Sequence, residues 1–232
     1  MDSNPDYKCT LIVPAYNEER RIEIFLSDIT SYKGPVIFVC DGSDKTADIV
    51  LAFAQENPGL NFKILKFEER LGKGGGITEG IKACDTEYVG FTDADGSTPV
   101  PELRKLFSYL RVYDCAIGSR WLKESKIGKK QKFFRRLESR LFNLSTRILF
   151  QMSFSDTQCG AKVFRTESVK RILPDVRSNG FEFDVEVLYL LLKGGFSVKE
   201  IPISWNDREE SHVGSSDGVG MLINLIKIRL NR

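Results

Sequence analysis

The chain has 232 residues, with 34 Lys and Arg against 32 Asp and Glu, so its formal charge is only +2. Hydrophobic residues at 41% and charged residues at 28% suit a soluble globular protein with a sizeable core, and they exclude a disordered or fibrous chain. Near-neutrality disfavours a nucleic-acid coat, and the best membrane-span candidate, 187–192, falls far short of the roughly 18 apolar residues required.

In the first half, strand-like apolar runs at 9–13, 36–40, 62–67, 88–92 and 115–117 alternate with helical patterns at 19–31, 44–55, 75–83 and 101–112. Continuous apolar strands joined by crossover helices predict an α/β fold: a mostly parallel central sheet with helices on both faces. Asp44 reads as the N-cap of the second helix, and Pro101-Glu102 suits the first turn of the fourth. In the second half, an arginine-studded helical pattern covers 131–150, followed by a loop at 153–159 and a short strand at 161–164. An apolar helix then opens near 180 and ends at Gly194-Gly195; a strand at 197–205, a Gly/Ser-rich loop at 211–220 and an amphipathic C-terminal helix complete the chain. No repeat or linker interrupts it, so residues 1–232 read as a single domain.

Residue scarcity narrows the chemistry. His212 is the one histidine, which excludes two-histidine zinc sites, and no GxSxG elbow exists for a serine nucleophile. Cys9, Cys40, Cys84, Cys115 and Cys159 are far apart, never spaced CxxC, and read as small buried hydrophobes. The polar, acidic N-terminus is not a signal peptide, so the sequence reads as a cytoplasmic domain.

In sheets of this kind, ligands bind beyond the carboxyl ends of the strands. Those positions hold Pro14-Ala15-Tyr16-Asn17-Glu18, Asp41-Gly42-Ser43-Asp44, Gly72-Lys73-Gly74-Gly75-Gly76, Asp93-Ala94-Asp95 and Gly118-Ser119-Arg120. Asp93 and Asp95 can together hold Mg²⁺ or Mn²⁺, which prefer oxygen ligands and complete their shell with phosphates; alternatively the pair is a polar loop that caps a helix. The glycine-rich run lacks the GxxxxGK[ST] spacing, and GxGxxG fails at Ile77, leaving either close packing or phosphate proximity. Asp41 is either a cap or a ligand for a nucleobase edge. Arg120 and Arg208 are either solvated charges or guanidinium forks for phosphate. In the 131–150 helix, Phe134, Leu137, Leu141, Leu144 and Ile148 form an apolar stripe, with Phe133 at its edge and Arg136, Arg140 and Arg147 about a quarter turn away. That pattern fits a core helix with a basic flank, or an interfacial helix meeting an anionic lipid. From Trp121 to Phe150, nine basic residues face two acidic ones.

On these motifs the sequence resembles family-2 glycosyltransferases of the GT-A (Rossmann-like) fold, in particular the polyprenyl-phosphate hexosyltransferases, including the dolichyl-phosphate β-glucosyltransferases. Asp156-Thr157-Gln158-Cys159-Gly160 and Phe183-Asp184-Val185-Glu186 favour the glucosyl branch over the mannosyl one. The resemblance implies a nucleotide-sugar-binding half at about 8–120 and an acceptor-binding half at about 121–232. Pro14, Ala15, Tyr16, Glu18, Asp41, Lys73, Asp93, Ala94 and Asp95 would bind the nucleotide sugar, with Asp93 and Asp95 on the metal. Arg120, Arg136, Arg140 and Arg208 would contact phosphates of donor or acceptor; Asp95, Arg120 and Asp184 would be catalytic. The implied reaction is inverting hexosyl transfer, favouring UDP-glucose as donor and a polyprenyl or dolichyl monophosphate as acceptor, at the cytoplasmic face of a membrane that the protein binds peripherally. Transfer from GDP-mannose, or to a sugar hydroxyl, is the alternative. Ser97 departs from the mannosyl relatives, which carry a longer amide there, and Ala161 replaces an aromatic.

Overall fold

The computed structural model describes residues 5–128, 133–207 and 215–230. Its central sheet has seven strands: β1 (Cys9–Ala15), β2 (Val36–Cys40), β3 (Phe62–Lys66), β4 (Tyr88–Phe91), β5 (Cys115–Ser119), β7 (Lys162–Arg165) and β8 (Val198–Pro202). Their order is β3-β2-β1-β4-β7-β5-β8. Every pairing is parallel except those of β7, which runs antiparallel to both β4 and β5. A separate two-stranded ribbon joins β6 (Lys126–Ile127) to β9 (Ser204–Trp205).

Helices cover both faces, as the continuous apolar strands require. One face carries α1 (Ile22–Ile29), α2 (Thr46–Glu56) and α4 (Val100–Ser108), whose Ile22, Phe25, Val50 and Leu103 pack on Leu11, Val13 and Phe38. The other carries α3 (Gly72–Lys82), α5 (Phe133–Phe150), α6 (Thr166–Ile172), α7 (Phe183–Lys193) and α8 (Ser215–Leu230). There Ile77, Phe150, Val169, Leu188 and Leu225 surround Ile12, Ile37 and Phe91. Leu11 and Ile12 point to opposite cores because side chains alternate along a strand. All five cysteines are free and buried, as expected of small hydrophobes.

Several boundaries differ from the sequence expectations. The first helix is shorter than 19–31, the fourth closes at Ser108 into a 3₁₀ turn at Tyr109–Arg111, and the C-terminal helix already begins at Ser215. The 197–205 run is two strands, because Ser204 and Trp205 leave the main sheet to pair with Lys126 and Ile127. Helix α6 was not expected. Asp44 is not the N-cap of α2; that position is Lys45, and Asp44 instead accepts from Thr46 N and Oγ1 through Oδ1 and from Glu19 N through Oδ2. It thereby fastens the post-β1 loop to the start of α2.

The strand order reverses between β1 and β4, and a crevice opens at such a switch point beyond the strand ends. Tyr16, Asp41, Asp93 and Arg120 all lie at this rim, just past β1, β2, β4 and β5. Because β7 is antiparallel, its beginning rather than its end reaches the same rim, with Lys162 paired beside Phe91 and Ile117. The 153–160 loop is therefore brought to the rim as well.

Candidate active site

Lys73 stands in the first turn of α3 and joins two carboxylates: its Nζ lies 3.0 Å from Asp93 Oδ1 and 3.3 Å from Asp184 Oδ2. Asp184, in the first turn of α7 where a helix favours negative charge, also accepts from Lys162 Nζ at 2.5 Å through Oδ1. Lys162 is fully buried and donates to Cys159 O at 2.6 Å as well. Burial works against the charge of Lys73, but Asp184 and Asp93 more than offset it and raise its pKa. Burial likewise opposes ionisation of Asp93, yet Lys73 beside it, with Lys162 and Arg120 farther off, holds its pKa below the usual range.

Asp95 has the opposite character. Burial and the charge of Asp93 raise its pKa, although Ser97 N donates to its Oδ1 at 2.9 Å. Glu18 is pushed up to about 7, mainly by burial, despite a two-pronged pair with Arg21 Nε and Nη2 at 2.8 and 2.7 Å; Asp95 and Asp93 add to the rise. Three carboxylates thus share one crowded corner, and cationic charge there is in demand.

The glycine-rich run is used for packing. Gly74 lies so close to its neighbours that a Cβ there would stand 2.6 Å from Phe183 Cβ and 2.8 Å from Ser178 O. Its N–H, like that of Gly75, donates to Asn179 O. Asp41 Oδ2 accepts from Leu71 N and Gly72 N, so it fixes the start of the helix that carries Lys73. The helix begins at Gly72, three residues before the propensity of the glycines suggests, because these tertiary contacts hold it.

Arg120 grips Asp156 through Nε at 2.7 Å and Nη2 at 2.9 Å, while its backbone N donates to the same carboxylate. Asp156 is fully buried; burial opposes its charge, but Arg120 outweighs this and lowers its pKa. The loop is pinned further by Glu200, which accepts from Ser155 N and Asp156 N, and by Asn143 of α5, which accepts from Thr157 N and Oγ1. Gly160 lies directly under Asp93: a Cβ there would meet Asp93 Oδ2 at 1.8 Å. The Arg120 guanidinium also lies 5.4 Å from the Trp205 ring and 5.9 Å from that of Trp121, whose ring has Arg140 5.1 Å away.

A family match now sits on this geometry: residues 10–173 match "Glycosyl transferase family 2". The chain belongs to glycosyl transferase family 2. Two relatives of this family-2 enzyme are dolichyl-phosphate beta-glucosyltransferases. The protein from Saccharomyces cerevisiae is 30% identical, over 95% of this chain and 74% of its own length. That from Dictyostelium discoideum is 29% identical, over 95% and 73%. Among solved structures, glucosyl-3-phosphoglycerate synthase from Mycobacterium tuberculosis, in complex with Mn²⁺, UDP-glucose and phosphoglyceric acid, superposes with TM-score 0.69 at 16% identity. It covers 97% of this chain and 79% of that one. The mannosyltransferase PcManGT from Pyrobaculum calidifontis, with GDP-Man and Mn²⁺, gives TM-score 0.62 at 19% identity, covering 88% and 58%. The fold is therefore GT-A.

Of the residues expected at the site, Tyr16, Glu18, Asp41, Lys73, Asp93, Asp95, Arg120 and Asp184 gather along one rim of this glycosyltransferase. Pro14 is the penultimate residue of β1. Ala15 and Ala94 turn their methyls into the core, so only their backbone can face a ligand. Arg140 reaches the rim through Trp121. Arg208 lies outside the described residues; Arg136 belongs to α5, but its side chain lies outside them. Of the stripe on α5, the side chains of Phe134 and Leu137 lie outside the described residues, and Leu141, Leu144 and Ile148 do not face the core but are exposed; the buried residues of α5 among those described are Asn143, Thr146 and Phe150.

Lys162 and the partnership of Asp156 with Arg120 were missed, as was Arg70, whose guanidinium stacks 4.2 Å from the Tyr16 ring. A signal existed for Lys162, since a lysine inside an apolar strand must find a partner. The donor chemistry at Asp93 and Asp95 fits a hard divalent ion: two carboxylates, mutually repulsive enough to perturb Asp95, with the Asp93 side chain 41% exposed, so that phosphates could complete the shell. Among the described residues no group of three or more His, Cys, Asp or Glu could hold a metal unaided. An ion held by Asp93 and Asp95 would complete its shell with water or with substrate oxygens.

Proposed function

We propose that the protein transfers glucose from UDP-glucose to a polyprenyl (dolichyl) monophosphate, inverting the anomeric centre. The observation that carries this reading is the clamping of Asp184 between two ammonium groups, Lys162 at 2.5 Å and Lys73 at 3.3 Å. A carboxylate so paired is poorly placed to accept a proton from a hydroxyl, so the reaction calls for a nucleophile that is already anionic. A phosphate monoester, with its second pKa about 6, meets that need. The names of the relatives and the UDP-glucose complex among the structural neighbours support the same donor and acceptor.

In this reading the residues of the chain work by orientation and charge. Tyr16 and Arg70 flank the nucleoside at the β1 end, and Asp41 holds the helix that presents Lys73. Asp93 and Asp95 would hold Mg²⁺ or Mn²⁺, which when bound supplies charge neutralisation to the departing diphosphate. Arg120 has two of its five N–H donors on Asp156, which leaves its outer edge for a phosphate oxygen and fixes its plane while it binds. Asp184 keeps Lys73 and Lys162 in register rather than moving a proton. Residues 8–120 then serve the donor and 121–232 the acceptor.

The lipid would approach along α5. Leu141, Leu144 and Ile148 are exposed beside Arg140 and Arg147, and α8, packed on α5, also exposes Ile223, Ile226 and Leu230. Among the described residues no helix is long and apolar enough to cross a membrane. An in-plane seat, with arginines at the headgroups and aliphatic side chains below, suits this face.

The test is turnover of UDP-glucose and GDP-mannose with a polyprenyl phosphate and with simple sugar acceptors, with the product's anomeric configuration determined. Lipid-linked β-glucose is expected. Faster transfer to a sugar hydroxyl would replace the acceptor assignment, and preference for GDP-mannose would replace the donor.

A further inference from the structure

We propose that Lys73 is a built-in counter-cation for Asp93 that must be drawn away by a nucleotide diphosphate before a divalent ion can bind well, so that metal and nucleotide bind cooperatively. The inference rests on the assignment of Asp93 and Asp95 as the metal-holding pair.

Two anions, Asp93 and Asp184, are matched in the network by two cations, Lys73 and Lys162. Beside this network Asp95 has no ion pair among the described residues, whereas Glu18 is paired with Arg21 and Asp156 with Arg120. An arriving divalent ion therefore meets one carboxylate whose charge is already answered, with an ammonium 3.0 Å from its oxygen. Like charges at such range repel strongly wherever water is scarce.

The two lysines differ in what they can do. Lys162 is fully buried on a central strand, tied to Asp184 Oδ1 and Cys159 O, and has nowhere to go. Lys73 projects from the first turn of a helix that opens on the crevice, on a four-carbon stem, with Nζ 5.9 Å from the rings of both Phe91 and Phe181. Its backbone is held by the contacts of Gly72 and Gly74, so only the side chain is available to move. A diphosphate offers Lys73 new anionic partners, and Asp93 is then left to the metal. Asp184 keeps its partner Lys162 throughout. Linkage requires that whatever the nucleotide does for metal affinity, the metal does for nucleotide affinity.

Mn²⁺ affinity, read from the spin-resonance signal of the free ion, tests this without any glycosyl transfer. It is measured with and without UDP for the wild type, Lys73→Gln, Lys73→Met and Lys73→Arg. Without UDP, the Gln and Met variants should bind Mn²⁺ about tenfold tighter than the wild type, the scale of one neighbouring charge. The Arg variant should stay near the wild type. The gain in Mn²⁺ affinity that UDP confers should shrink by a similar factor in Gln and Met. Gln can still hydrogen-bond to both carboxylates, so it keeps the comparison sound should Met fail to fold. Adding Asp95→Asn to Lys73→Gln should abolish the gain; its persistence would place the ion elsewhere and overturn the proposal. Unchanged or weaker Mn²⁺ binding by Gln and Met also overturns it while leaving the proposed function intact. Absence of Mn²⁺ binding by the wild type even with UDP would overturn the metal assignment and this inference together.

Discussion

At the rim, Lys162, Asp184 and Asp156 are almost wholly removed from water, and each is paired within hydrogen-bond distance. On the outer face of α5, Arg147 stands in solvent beside Leu144, 51% exposed, and Ile148, 72% exposed. The first region places these three charges where they are costly and pairs each of them. The second leaves apolar groups where folding alone gives no reason for them. Each departs from the ordinary distribution of residues in the direction the proposed reaction would require: fixed charge for a diphosphate, and apolar surface for a lipid. Substitutions in the first should therefore damage folding or chemistry heavily, whereas those in the second should leave both nearly intact.

The largest effect is expected at Asp156. Asp156→Asn leaves Arg120 buried without a counter-charge, a defect of about 3–5 kcal/mol near neutral pH, visible in denaturant unfolding. The sign of its pH dependence follows from the lowered pKa of Asp156 in the folded state. Its contribution is present above the ordinary carboxylate value and is lost as pH falls through the folded value. The gap between variant and wild type should therefore close in acid. A gap that stays constant with pH would mean that shape rather than charge carries the pair.

Next comes Asp95. Asp95→Ala should reduce glucosyl transfer by about 10²–10³-fold, as loss of a preorganised electrostatic contact does, and EDTA should do the same to the wild type. Stability should change little or rise, because burial and Asp93 already penalise the charge on Asp95. Full activity in the variant or in EDTA would remove the metal from the mechanism. Asp184→Asn sharpens the contrast between orienting and proton-accepting roles. With a phosphate acceptor, the acid limb of the rate profile should not move, and the loss per folded molecule should be about tenfold, while stability falls because buried Lys162 loses its carboxylate partner. Loss of a true general base costs about 10²–10⁴-fold.

How much of this was legible in the sequence depends on which physical signal each part emits. The strands β1, β2 and β4 announce themselves as unbroken apolar runs because both their faces are covered. Ser119 does not, since Gly118 and Ser119 extend β5 through their pairing with Ile201 and Pro202, which no local pattern encodes. The rim loops were readable because parallel strands all end on one side. Lys162 was not, because that rule looks after strands and β7 enters the rim at its beginning. The α5 stripe was legible as a periodicity but not in direction. Asn143 and Thr146 are buried instead, because Thr157 lies behind them with a backbone N–H and a hydroxyl to satisfy.

The smallest effect belongs to the outer face, and it is the one that best separates the two regions. Arg147→Ala removes one exposed charge from α5 and breaks no hydrogen bond or ion pair among the described residues. Folding stability should therefore shift by no more than about 0.5 kcal/mol, within the range of ordinary surface substitutions. Binding to anionic vesicles should weaken about fivefold, since one basic residue near such a surface contributes about 1 kcal/mol. Ile148→Ser should weaken vesicle binding through lost apolar contact, and this loss should persist at high salt, where the arginine effect fades with the screening length. UDP binding should be indifferent to both changes, because neither residue touches the rim network. A salt-insensitive Arg147→Ala defect, or a matching loss of UDP affinity, would mean that α5 acts on the rim through the fold instead of on a lipid surface.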